Sequence, residues 1–235
     1  MAYKRVLIKI SGEQLAGKLE SGFDTEHAVW LAREVKKIVD GGQQVVIMVG
    51  GGNIVRGAQT AGGGIQRVTA DHMGMLATLI NALAITDVFE HNSVPTRCLS
   101  NIFADQVAEK FVHRLANKHL QKGRVCILAG GTGRPYVTTD TAAVNLALEL
   151  DCDIVLKATK VDGVYDADPA QNPDAKKYDS LTYQQAVENP AIKVMDKAAM
   201  ALAMEHEIPV LIFDALKEGN IIAAVNGQTV GTKIA

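Results

Sequence analysis

Two lysines stand in or just after apolar runs. Lys9 falls within Val6-Leu7-Ile8-Lys9-Ile10, and Lys157 follows Ile154-Val155-Leu156. Both runs read as short buried strands, being aliphatic and bounded by turn or charged residues. One such lysine could simply snorkel to solvent. Two on one rim, with Arg56 nearby, would concentrate positive charge in a cleft. Phosphoryl transfer needs that arrangement, because charge spreads over the transferred oxygens and catalysis is mainly positioning plus electrostatic stabilisation. The lysines also need an acid to orient them. Asp140, directly after Thr138-Thr139, is the best placed. It also reads as the N-cap of a helix over 141–150, and the two roles are compatible.

Three glycine-rich segments each follow an expected strand: Lys9-Ile10-Ser11-Gly12, Gly50-Gly51-Gly52-Asn53 and Gly130-Gly131-Thr132-Gly133. In an open parallel sheet the carboxyl ends of the strands line one rim, where ligands bind. Glycine lets backbone come close, and successive N–H groups form an anion nest. Any one segment alone reads as an ordinary turn. Three together, beside Lys9, Arg56 and Thr138-Thr139-Asp140, point to phosphate. Further on, Val161-Asp162-Gly163-Val164-Tyr165-Asp166-Ala167-Asp168-Pro169 offers Tyr165 as a flat surface for a base. Asp168 is held extended before proline and could accept from a ribose or a base. The alternative there is a surface turn.

Other nucleotide and metal signatures fail. Gly12 to Lys18 spells GxxxxGK after a strand, but Leu19 stands where a Mg2+-holding Ser or Thr belongs, and Glu20-Ser21-Gly22 does not begin a helix. Gly50-Gly51-Gly52 followed later by Asp71 mimics a dinucleotide fingerprint, yet its third glycine would fall at Val55. The histidines lack metal-ligand spacing, and there is no GxSxG nucleophile elbow.

The elements that must position these groups alternate. After the strand over 6–10, Asp24 caps a helix whose Ala28, Leu31, Val35, Ile38 and Val39 recur at three and four residues. A strand over 44–49 follows. Then comes a long helix over 68–91, with Met75, Leu76, Leu79, Ile80, Leu83 and Phe89 expected on one broad apolar face and its methionines as core filler. Strands are expected over 95–99, 125–129 and 154–156, with a mostly helical stretch over 105–122. The segment 158–183 is rich in Asp, Pro, Asn and Lys and reads as loop or lid. A helix over 196–207, a strand over 209–213, a short helix over 221–225 and a closing strand over 229–234 complete the pattern. Strand–helix alternation predicts an α/β three-layer sandwich, a mainly parallel open sheet with helices on both faces. The chain of 235 residues reads as one domain without linker or repeat.

Composition excludes several classes. With 48% apolar and 21% charged residues the chain can build a substantial core. A net charge of −2 gives no electrostatic reason for nucleic-acid binding. Cys98, Cys126 and Cys152 are far apart and odd in number, which fits a reducing cytoplasm rather than a disulfide frame. No signal-peptide h-region and no uncharged apolar run long enough to span a membrane is expected.

At this point the chain resembles the amino-acid-kinase superfamily, with its carbamate-kinase-like fold, and within it the bacterial uridylate (UMP) kinases. The carrying residues are Lys9-Ile-Ser-Gly12, Gly50-Gly-Gly-Asn-Ile-Val-Arg56-Gly57, Asp71-His-Met-Gly-Met75, Gly131-Thr-Gly-Arg-Pro-Tyr-Val-Thr-Thr-Asp140, Lys157-Ala-Thr-Lys-Val-Asp-Gly-Val-Tyr165-Asp-Ala-Asp-Pro169 and Val194-Met-Asp196. The resemblance implies phosphoryl transfer from ATP, with Mg2+, to UMP, in the pathway that makes UDP. It implies an ATP site of Lys9, Ile10, Ser11, Gly12, Gly52, Arg56, Thr159, Tyr165 and Asp168. Its UMP site would take Gly51, Asp71, Thr132, Gly133, Arg134, Pro135, Tyr136, Val137, Thr138 and Thr139. The UMP side falls mainly in the N-terminal part and the ATP side mainly in residues 157–235. Lys9, Arg56 and Lys157 would neutralise phosphates with Asp140 as organiser, and Asp196 would position magnesium or a lysine. A cytoplasmic homohexamer, activated by GTP and inhibited by UTP in many members, is implied too. Three departures stand out. Arg134 replaces the family's usual Asn. Thr86 replaces an arginine that some members link to GTP, whereas Arg97 and Arg124 match, and the segment 17–23 is atypical. Two other readings stay open: the same fold phosphorylating a carboxylate or carbamate, and a nucleotide-binding protein without catalysis. Retention of Lys9, Lys157 and Asp140 argues against the second.

Overall fold

The computed structural model describes residues 2–55, 60, 63–167, 169, 171–172, 174–189, 192 and 195–235. In chain order its elements are β1 (Arg5–Ile10), α1 (Gly12–Leu15), α2 (Thr25–Asp40), β2 (Gln44–Val49), α3 (Arg67–His91), β3 (Thr96–Ser100), β4 (Glu109–Lys110), α4 (His113–Gln121), β5 (Val125–Ala129) and α5 (Thr139–Glu149). There follow β6 (Ile154–Thr159), β7 (Val164–Tyr165), β8 (Lys177–Tyr178), β9 (Ser180–Leu181), α6 (Tyr183–Glu188), α7 (Lys197–Glu205), β10 (Val210–Asp214), α8 (Asn220–Val225) and β11 (Thr232–Ile234).

Nine strands form one sheet in the order β4-β3-β5-β2-β1-β6-β10-β11-β9, while β7 and β8 make a separate antiparallel ribbon. Within the nine, only the β10–β11 pair is antiparallel. Successive side chains of a strand point to opposite faces, so each strand feeds two cores. On one face Ile8, Ile47 and Leu156 meet Val35 of α2, Phe89 of α3 and Ile221 of α8. On the other, Leu7, Met48 and Val155 meet Leu120 of α4, Val144 of α5 and Met200 of α7. Burial on both sides is why the central strands read as continuous apolar runs rather than alternating ones.

Several expectations shift. The long helix does not have a single apolar face. Met75, Leu79 and Phe89 are buried, whereas Leu76 and Ile80 stand 54% and 53% exposed. Neighbouring positions such as 75 and 76 lie about 100° apart on a helix, so the apolar set wraps beyond one stripe. This helix is long and apolar enough to cross a membrane by length and composition, but its inner face packs into the sheet core. The stretch 105–122 is helical only from His113. Before that, Glu109 and Lys110 pair with Leu99 and Ser100 as an edge strand. The loop-like segment 158–183 holds the end of β6, the β7–β8 ribbon and β9. The unanticipated α6 opens with a capping box, Thr182 and Gln185. The cap of α5 is Thr138, not Asp140: its hydroxyl accepts from the N–H groups of Asp140 and Thr141, which places Asp140 inside the first turn.

Candidate functional site

The chain leaves β1 to build β2 on one side and later returns to build β6 on the other, so β1 is a topological switch point where a crevice opens at the strand ends. Parallel pairing puts Lys9 of β1 in register with Lys157 of β6. They share parity with Leu7 and Val155, so both turn toward the layer that contains α5. There the Lys9 ammonium lies 2.6 Å from Asp140 Oδ1 and that of Lys157 lies 2.5 Å from Oδ2. All three are largely buried. Burial opposes ionisation of Asp140, but the two lysines outweigh it and hold its carboxyl below the usual carboxylate range. Burial pushes the Lys157 ammonium down; Asp140 opposes that shift and Lys9 adds to it. The first turn of α5, with its outward N–H dipoles, also favours the carboxylate.

Asp196 braces this arrangement from outside. It caps α7 by accepting from Ala199 N at 2.9 Å, and it accepts from the hydroxyls of Thr138 and Thr141 across to α5. The carboxylates of Asp140 and Asp196 are thus already engaged by side chains, and among the described residues no group of three or more His, Cys, Asp or Glu could hold a metal ion. Asp196 suits positioning better than metal holding.

Glycine lets the first two turns touch backbone to backbone. A Cβ on Gly12 would sit 2.4 Å from Gly52 N and 2.5 Å from Asn53 Oδ1. Ser11 fixes the first turn through a capping box with buried Gln14. The second is pinned by two buried amides. Asn81 of α3 donates to Gly50 O and to Asn53 Oδ1, both at 2.7 Å, and Asn53 donates back to Asn81 Oδ1 at 3.0 Å and to Gly22 O at 2.6 Å. The third turn carries Gly130, Gly131 and Gly133 at positive φ, and Gly130 N donates to the buried Thr78 hydroxyl at 2.7 Å.

Between α3 and the third turn lies a cavity of about 210 Å³. Of the residues expected on the UMP side, it gathers Gly51, Asp71, Thr132, Arg134, Val137, Thr138 and Thr139; Gly133, Pro135 and Tyr136 belong to the same loop without lining the cavity. Among the described residues the Thr132 hydroxyl is buried without a hydrogen-bond partner, a polar atom on the cavity wall that a ligand would satisfy. Arg67, Met75 and Thr78 also line the cavity. Sequence reasoning misses Arg67 and Thr78, together with Asn81, reads Met75 as core filler and takes Asn53 only as part of a glycine segment; the four-residue spacing of Arg67 and Asp71 on one helix was the available signal.

On the other side of the lysines, Thr159 ends β6 and its hydroxyl bonds to Val161 O and Phe213 O at 2.6 and 3.0 Å. Tyr165 lies on the β7–β8 ribbon, its hydroxyl donating to Asp162 at 2.6 Å while Lys177 pairs with the same carboxylate. The Ile10 side chain is in the core, which leaves only its backbone for a ligand. Arg56 and Asp168 lie outside the described residues. A larger open hollow of about 1020 Å³ sits at the opposite end of the sheet, lined by Arg5 and Gln44 where β1 and β2 begin. None of the three glycine turns lines it, and neither strand lysine does.

The sequence profile of the Amino acid kinase family matches residues 4–214. The solved UMP kinase of Bacillus anthracis is similar over 100% of this chain and 96% of its own, at 39% identity and a TM-score of 0.95. That of Ureaplasma parvum is similar over the whole of both chains at 37% identity and a TM-score of 0.92. The uridylate kinase of Archaeoglobus fulgidus also matches over both whole chains, at 28% identity and a TM-score of 0.76.

Proposed function

The chain belongs to the amino acid kinase family, and from that premise we propose that it is a UMP kinase, carrying the γ-phosphoryl group of ATP to UMP to give ADP and UDP on the route to UTP and CTP. The observation that carries the reading is the Lys9–Asp140–Lys157 cluster set where the glycine turns meet. Its carboxylate directly follows the Thr138-Thr139 wall of the cavity. Full-length similarity to two UMP kinases supports the choice of acceptor.

The acceptor atom is a phosphate oxygen of UMP, already ionised at neutral pH, so no general base is required. It attacks the γ-phosphorus in line, a new P–O bond forms, the bond to the bridging oxygen breaks, and ADP leaves with the electron pair. Lys9 and Lys157 stabilise the charge spread over the transferred oxygens, and Asp140 keeps both ammonium groups aimed at it. Arg56 is assigned to the same charge-neutralising set. The donor nucleotide lies along Lys9, Ile10 backbone, Ser11, Gly12 and Gly52 toward Thr159, Tyr165 and Asp168, so residues 157–235 carry most of its base and ribose side. The acceptor lies between Gly51, Asp71 and the run Thr132 to Thr139; the unpaired Thr132 hydroxyl and Arg134 are its polar contacts. Mg2+ enters as part of the MgATP substrate.

The reading extends to a cytoplasmic homohexamer. The exposed Leu76 and Ile80 strip on α3 supports association. The three buried free thiols, pushed up to about 11 at Cys98 and about 12 at Cys126 and Cys152, suit a reducing compartment. GTP activation and UTP inhibition belong to the same reading. A hollow beside Thr86 and Arg97, where Arg97 pairs with Glu90 at 2.7 Å, is the surface at which GTP would act.

The test is ADP release with UMP, CMP, dUMP, AMP and GMP side by side. UMP is expected to dominate. Equal use of CMP overturns the selectivity, and turnover only with a carboxylate or carbamate acceptor overturns the reading.

A further inference from the structure

Asp71 of α3 is held on one side and open on the other. Arg67, one turn earlier, places its Nε 2.9 Å from Oδ1 and 3.0 Å from Oδ2. The backbone N–H of Tyr136 donates to Oδ2 at 2.8 Å. Tyr136 adopts φ +65°, a left-handed conformation that is strained for a non-glycine residue. Strain of this kind persists only where surroundings impose it. Here it aims the N–H at Asp71, and the ring lies under the Arg67 guanidinium, 5.2 Å from the ring centroid. A carboxylate offers about four acceptor positions. Both of those on Oδ2 are used, and Oδ1 is used once, among the described residues. Asp71 and Arg67 both line the acceptor cavity.

We propose that Arg67 and the strained Tyr136 peptide are a positioning device that fixes Asp71 with one acceptor site of Oδ1 presented to a ribose hydroxyl of the acceptor nucleotide, making Arg67 a determinant of ribo- over deoxyribonucleotide selectivity. The inference rests on the UMP kinase reading. A carboxylate that accepts from a hydroxyl discriminates against an analogue without it, because the site's buried polar atom is then left unpaired. The selectivity depends on the carboxylate staying ionised and in one rotamer, which is what the Arg67 contact and the Tyr136 N–H secure. Arg67 is engaged with Asp71 and the Tyr136 ring rather than with the Lys9–Asp140–Lys157 cluster, so its loss should leave the chemical step largely intact.

The experiment measures kcat and KM for UMP, dUMP and ATP in the wild type, Arg67→Gln, Asp71→Asn and the double variant. The Arg67 side chain is 43% exposed, so the fold is expected to tolerate the change; a thermal melt checks this. For Arg67→Gln the expected result is a KM for UMP raised about tenfold, kcat within threefold, KM for ATP unchanged, and a UMP-to-dUMP ratio of kcat/KM compressed several-fold. Asp71→Asn should compress the ratio at least as far, and the double variant no further. Equal loss on UMP and dUMP, or an unchanged ratio, overturns the inference. Absence of UMP turnover in the wild type instead overturns the functional reading on which it rests. A loss of ATP affinity as large as that for UMP marks a general structural role and likewise counts against Arg67 as a positioning residue.

Discussion

Lys9 and Lys157 are neighbours in the same rung of the sheet, and each reaches a different oxygen of Asp140. Two like charges this close, removed from water, would repel and lose protons were no anion between them. Asp140 therefore does more than orient. It keeps two cations ionised at one point of the crevice, leaving them able to share their protons with an incoming phosphate. The geometry follows from strand register: a slip of one residue in the β1–β6 pairing would send one ammonium to the opposite face.

Replacing Lys9 by methionine preserves length and apolar stem while deleting the charge. The side chain is 9% exposed and packs at the rim of a core, so methionine fits the space. Asp140 keeps Lys157, which limits the damage to folding. In Lys9→Met, kcat for ADP release is expected to fall by about 10²-fold or more, in line with removal of one preorganised donor from a charge-stabilising site. A variant that turns over within tenfold of the wild type removes Lys9 from the catalytic set.

The pH dependence follows from the same cluster. The folded-state value of Lys157 is depressed: burial lowers it, Asp140 opposes the shift and Lys9 adds to it. The alkaline limb of the rate profile should thus fall at a pH below the usual lysine value of about 10.4. In Asp140→Asn the opposing influence disappears while burial and Lys9 remain, so the limb moves to still lower pH. Asp140 itself has a depressed folded-state value, so its contribution to stability is present at neutral pH and is lost only as pH falls through that value. Rate profiles of both proteins between pH 6 and 10 check the sign; a limb that stays in place in the variant contradicts the assignment.

The rim lysines, the three glycine turns and the alternating elements were legible in the sequence because each rests on local pattern. A charged residue closing an apolar run, glycines after a strand and a three-and-four spacing need no knowledge of the rest of the chain. What sequence left hidden depends on pairing across distance. Asn81 sits within the apolar run Leu79-Ile80-Asn81-Ala82-Leu83, and nothing local says that Asn53 will meet it. Thr78 likewise looks like helix filler until Gly130 arrives from the far strand. Local pattern puts Asp140 near the lysines and also makes it a cap candidate; the structure pairs it with both lysines and gives the cap to Thr138, which offers the same capping chemistry two residues earlier. The outward Leu76 and Ile80 misled in another way, because an apolar residue on a helix reads as core whether it meets this chain's sheet or another surface.

The amide pair gives the last prediction. Asn81 is fully buried, and its single NH2 group serves Gly50 O and Asn53 Oδ1. Asn81→Leu conserves volume but strips both acceptors of their partner and leaves Asn53 NH2 with only Gly22 O. Unpaired buried groups of this kind cost about 1–3 kcal/mol, so the melting temperature is expected to drop by several degrees. The same bond ties the Gly50–Gly52 turn to α3, so loosening it should also raise KM for ATP through the displaced Gly12–Gly52 contact. Asn53→Leu tests whether the two act as one unit. If the amides form a single network, the double variant loses less stability than the two single variants added together, because the second change removes a bond already broken. Additive losses would mean that Asn53 and Asn81 hold the turn independently, Asn53 through Gly22 and Asn81 through Gly50.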